Sequence, residues 1–129
     1  MKRKAISIIV LILVLMSVIG VVIMITNPLL RSEEKIREKL LETTPIGTKM
    51  EDVIKLVERN EKWEVARINY ERGFWHQRIY PNRTVGKKSI QVELGEYRFI
   101  LITSVTVYFG FDENSELIDV WVWKTTDSF

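Results

Sequence analysis

Apolar residues are distributed along this chain in three ways, and each predicts a different element. Residues 5–26 form an unbroken apolar run without a charge. As a helix that run is roughly 33 Å long, enough to cross the hydrocarbon of a bilayer. Farther on, Met50, Val53, Ile54 and Val57 recur at i, i+3, i+4 and i+7, with Glu51, Asp52, Lys55, Glu58 and Arg59 on the other side. That spacing predicts an amphipathic helix ending near Asn60. Beyond it the period falls to two: Ile90, Val92 and Leu94 alternate with Gln91 and Glu93, as in a half-buried strand.

The punctuation between these runs sets the remaining boundaries. Asn27-Pro28 ends the first run and can start a second helix over residues 29–43, because Asn caps and Pro fits the first helical position. Its apolar stripe is thin: Ile36, Leu40 and, less neatly, Leu41. Thr44-Pro45-Ile46-Gly47 is a break, and Thr48-Lys49-Met50-Glu51 reads as a capping box for the amphipathic helix. Strands are predicted over residues 63–70, over 74–80 with a stop at Pro81-Asn82, over 90–94 closed by Gly95, over 99–111 and over 116–124. The expected fold is α+β. An N-terminal transmembrane helix precedes two short helices packed on one face of a three- to five-stranded antiparallel sheet. Residues 1–27 are the basic flank and anchor, and residues 28–129 are one small domain.

The last two strands fix a register of their own. Asp112-Glu113-Asn114-Ser115 is a turn-forming cluster, and a four-residue loop there pairs Phe111 with Glu116, Phe109 with Ile118, Val107 with Val120 and Val105 with Val122. Those pairs make one apolar face for the helices. Tyr108, Trp121 and Trp123 then fall on the opposite face, as an aromatic contact surface for a partner. The competing expectation is that Phe74, Trp75 or the loop of the 80s folds over the two tryptophans, since Trp is usually largely buried.

Charge adds orientation. Lys2, Arg3 and Lys4 precede the apolar run and hold the amino terminus in the cytoplasm, which puts the domain outside. A cleaved signal peptide fits less well. The run is longer than the usual apolar core of about 7–15 residues, and Val18-Ile19-Gly20 is a poor cleavage site. Of the formal net charge of +2, three positive charges belong to that flank, so the rest of the chain is slightly negative. Nucleic-acid binding thereby loses its main support. With no cysteine there is no disulfide, thiolate metal site or lipid-acceptor thiol.

No catalytic signature stands out. His76 is the only histidine and lies beside Trp75, so a packing or surface role is expected and no metal or cofactor is implied. Asp112, Asn114 and Glu116 have the 1, 3, 5 spacing of a calcium loop, but Leu117 stands where its glycine belongs and Trp123 where its bidentate glutamate belongs. Asn82-Arg83-Thr84 is a glycosylation sequon of a kind common by chance.

The stretch Ile46-Gly47-Thr48-Lys49-Met50-Glu51-Asp52-Val53 resembles the glycine–threonine turn into a helix of the outer-membrane assembly lipoprotein (SmpA/OmlA-like) group. Val107-Tyr108-Phe109-Gly110-Phe111-Asp112 and Leu117-Ile118-Asp119-Val120 resemble that group's closing hairpin. The resemblance covers roughly residues 29–124 and implies a fold similar to that of the β-lactamase-inhibitor protein, used to bind proteins at a cell envelope without catalysis. A transmembrane helix stands where the group has a lipidated cysteine, so the assembly role is not implied.

The expected function is a membrane-tethered, non-catalytic protein-interaction module at the bacterial cell envelope. Its anchor is single-pass and its domain extracytoplasmic. An inhibitor or immunity-type protein acting on an exported enzyme is the alternative. An enzyme with a dispersed site built on Asp, Glu, Tyr and His76 is the third.

Overall fold

The computed structural model describes residues 2–79 and 83–127. The predicted end of a strand at Tyr80, the Pro81-Asn82 stop and the asparagine of the sequon lie outside them. Helix α1, Lys2–Thr26, contains the apolar run. Every large apolar side chain from residue 6 to residue 22 is 50–65% exposed. The helix is apolar all round and unburied over Lys2–Val22, and it is long and apolar enough to cross a membrane.

After α1 comes a 3₁₀ turn, Pro28–Leu30, with the Asn27 side chain accepting from the Leu29 amide. The chain breaks at Arg31 and restarts as α2, Glu33–Thr43, capped by Ser32, whose Oγ accepts from the Lys35 amide. The expected single helix over 29–43 is thus two pieces. Ser32 breaks it because its side chain satisfies an amide that a continuous helix would bond internally. Helix α3, Met50–Arg59, buries Met50, Val53 and Val57 as the period predicted.

The predicted capping box does not form. Lys49, not Thr48, is the cap residue, and no side chain caps α3. The Thr48 hydroxyl donates to the Pro45 carbonyl at 2.6 Å. The backbone here is instead taken by the far end of the chain: Gly47 N donates to Leu117 O, Leu117 N to Thr48 O, and Met50 N to Ser115 O. Tertiary pairing has replaced a local cap.

Strands β1 (Glu64–Asn69), β4 (Lys88–Arg98), β5 (Ile102–Phe111) and β6 (Leu117–Thr126) form an antiparallel sheet in the order β1-β4-β5-β6. Strands β2 (Phe74–His76) and β3 (Arg83–Val85) form a separate two-stranded ribbon. Gly95 does not end β4. It sits at a bulge between Glu93 and Gly95 with φ +133°, a conformation suited to glycine, and the strand runs on to Arg98.

The β5–β6 register also differs from expectation, by two residues. Val107 faces Val122, Thr106 faces Trp123 and Tyr108 faces Trp121. Between Phe111↔Leu117 and Gly110↔Asp119, Ile118 is the extra residue of a bulge. The turn is one residue longer than expected. Asp112 Oδ1 accepts from the Asn114 and Glu116 amides, and Ser115 takes a positive φ of 63°. Beyond the bulge a shift of two preserves the faces; before it Leu117 takes the inner position, and Ile118, expected opposite Phe109, is 40% exposed.

That side carries the core. Ile90, Val92, Val105, Val107, Phe109, Phe111, Leu117, Val120 and Val122 meet α3 and the Ile36–Leu40 stripe of α2. Helix α2 also lies along β6, the strand at the sheet edge. There Arg37 Nε donates to the Val120 carbonyl at 2.8 Å and its Nη2 to Asp119 Oδ1 at 3.0 Å. The Val120 amide is taken by Asp119 Oδ1.

Candidate functional site

The face of the sheet away from α3 is read by rows, because residues paired across antiparallel strands point the same way. One row is Arg67, Gln91, Tyr108 and Trp121. The next is Glu64, Glu93, Thr106 and Trp123, and beyond it come Glu96, Ser104 and Thr125.

The ribbon β2–β3 covers the Tyr108–Trp121 end of the first row, and Arg67 at its other end is exposed. Phe74 and His76 alternate with Trp75, so the first two point to the sheet and Trp75 points away. Phe74 is buried and lies 5.8 Å from Tyr108 and 6.2 Å from Trp121, between ring centroids. His76 stacks on Trp121 at 4.1 Å and 15°. Phe74 reaches this depth because Gly110 has no side chain: a Cβ there would stand 2.8 Å from Phe74 Cε1. A paired contact of Arg78 with Glu33, at 2.8 and 3.1 Å, ties the segment after β2 to the start of α2.

This corrects the open aromatic surface. Trp121 is 6% exposed, sealed by Phe74 and His76, and Tyr108 is half-buried beneath the same cover. The competing expectation, a cover that includes Phe74, describes these two residues. Trp123 stacks on Trp121 at 5.1 Å but remains half-buried as the end of the aromatic row. Trp75, the other aromatic offered as a cover for the tryptophans, is 56% exposed.

Burial sets the ionisation of the covered groups. Desolvation pushes the His76 pKa below its usual value. Asp119 works against that shift and Arg78 with it. His76 Nδ1 accepts from the Arg78 amide at 3.2 Å, a bond that needs the ring nitrogen unprotonated. Burial likewise raises the Tyr108 pKa, helped by Glu93 and opposed by Arg67. Among the described residues no group of three His, Cys, Asp or Glu could hold a metal ion.

The second row is chemically different: Glu64 is exposed, Glu93 and Trp123 are half-buried, and Thr106 between them is buried. Glu64 and Glu93 are direct cross-strand partners with like charge, an arrangement that destabilises a sheet. Glu93 is fixed in place: its Oε2 accepts from Thr106 Oγ1 at 2.8 Å and its Oε1 from Gln91 Nε2 at 3.4 Å. Glu96 follows on the same face, and Glu64 and Glu96 have no ion-pair partner among the described residues. The row was missed in the sequence because its members come from four strands. Its signal was the pairing of Glu64 with Glu93, which only the register reveals. Comparison with protein-family models, curated proteins and solved structures finds no match to this chain.

Proposed function

We propose that the protein is a membrane-tethered, non-catalytic interaction module at the bacterial cell envelope, with its domain outside the cytoplasmic membrane. Lys2, Arg3 and Lys4 before the apolar helix support that orientation. The order of a helix pair followed by an antiparallel sheet is of the kind that the resemblance to the assembly-lipoprotein group implies.

The observation that carries the proposal is the Glu64–Glu93–Thr106–Trp123 row. Two carboxylates on adjacent strands attract a cation, and Trp123, two strands farther along the same row, offers an aromatic surface to the rest of the segment that carries it. The partner is therefore a protein segment presenting a Lys or Arg side chain. The unfavourable Glu64–Glu93 contact in the free domain is relieved when that cation arrives.

The test is photo-crosslinking in cells from position 123, with mass spectrometry of the adducts. Position 121 is unsuitable because its side chain is sealed. A discrete adduct that disappears in Glu64→Lys supports the proposal. Crosslinks confined to the chain itself would overturn it.

A further inference from the structure

The most exposed large apolar side chains in the described residues are not in the anchor. They are Phe99 and Ile100, each 83% exposed, at the tip of the β4–β5 hairpin. A two-residue apolar tip held clear of the core is unfavourable in water and calls for a partner.

Its position names the partner. The 3₁₀ turn that follows α1 packs on β4. Leu29 Cδ1 lies 3.2 Å from where a Gly95 side chain would begin, and Leu29 and Tyr97 both pack against the core. From Gly95 the strand runs to the tip in four residues, about 13 Å. The chain therefore leaves the membrane helix at the same end of the sheet that carries the hairpin tip. That end also holds a groove between the 3₁₀ turn and the close of α3. Its lining includes Arg31, Lys39, Arg59 and Lys62 against a single carboxylate, Glu61. Arg98 flanks the tip.

We infer that this end of the domain docks on the bilayer its own anchor crosses: Phe99 and Ile100 enter the boundary between headgroups and acyl chains, and the basic rim faces anionic headgroups. Apolar residues flanked by cations are the general chemistry of interfacial attachment. The inference rests on the reading of α1 as a membrane anchor. It fixes the orientation of the domain, so that the Glu64–Trp123 row is presented at a set height rather than on a swinging tether.

The absence of cysteine makes the test clean. The full chain carrying Phe99→Cys, Ile100→Cys, Leu13→Cys or Glu113→Cys is labelled with an environment-sensitive fluorophore. It is then reconstituted into phosphatidylcholine–phosphatidylglycerol vesicles, with nitroxide lipids as quenchers. Position 113 lies in the turn at the other end of the sheet. Labels at 99 and 100 are expected to shift to the blue and to be quenched several-fold more than the label at 113. Quenching at 13 with 99 and 100 behaving like 113 would overturn the docking and leave the anchor intact. No quenching at 13 would remove both. A blue shift at 99 that follows protein density and not lipid quencher would place the tip against a second copy, and would also overturn the inference.

Discussion

Two neighbouring rows of the sheet, one residue apart along each strand, have opposite character. Val92, Val107 and Val122 face the helices at 0–2% exposure, with Val65 continuing the row. Glu93, Thr106 and Trp123 face the other way, with Glu64 continuing that row. The first row is the arrangement that burial favours. The second sets like charges side by side and stops an aromatic stack short of full cover. Stability alone explains the first row and not the second, which is why function is sought in the second.

Substitutions that act on one side and spare the other sharpen this contrast. Phe109→Ala removes a fully buried ring from the helix side and is expected to cost about 3–5 kcal/mol, read by urea unfolding of the full chain in mild detergent. On the aromatic side, Gly110→Ala forces a Cβ against Phe74 and should cost about 1–3 kcal/mol. Loss of His76–Trp121 stacking should accompany it, seen as a change in near-ultraviolet circular dichroism.

The cover over Trp121 also responds to pH through His76. His76 is held below its usual pKa, so on acidification the unfolded chain takes up the proton first. Stability should therefore fall as pH drops through about 6.5, the ordinary histidine value. His76→Phe, which keeps a ring on Trp121, should flatten that part of the profile. Glu64→Lys replaces the like-charge pair with an opposite-charge one. It should raise stability by about 0.2–1 kcal/mol while abolishing the adduct from position 123.

The smallest effect tests a local expectation. A working capping box would make Thr48→Ala cost about 1 kcal/mol. Here the hydroxyl serves only the Pro45 carbonyl at the surface, and unfolding should change by no more than about 0.5 kcal/mol.

Much of the fold was legible because periodicity reports burial directly. Met50, Val53 and Val57 named the buried stripe of α3, and Ile90, Val92 and Leu94 named the inner positions of β4. What stayed hidden was non-local. Thr48 and Glu51 have the spacing of a capping box, but Leu117 and Ser115 had prior use of the backbone there. The longer turn and the bulge at Ile118 each moved the hairpin by one residue, and beyond the bulge the two-residue sum leaves the faces unchanged, so hydrophobic pattern has no means of detecting it there. The Phe74-x-His76 spacing carried the signal that two rings share a side. Nothing local said that the side would be Trp121's.

Arg37 and Asp119 have one further consequence. Copies held in a membrane plane by a helix of this kind would meet far more often than dissolved molecules at equal abundance. A bare outer strand would invite those encounters to grow into continuous intermolecular sheets. At Val120 both backbone groups are already occupied, the carbonyl by a guanidinium and the amide by a carboxylate. A strand approaching β6 therefore finds no free backbone partner at that residue, which disfavours sheet extension at this point of the edge.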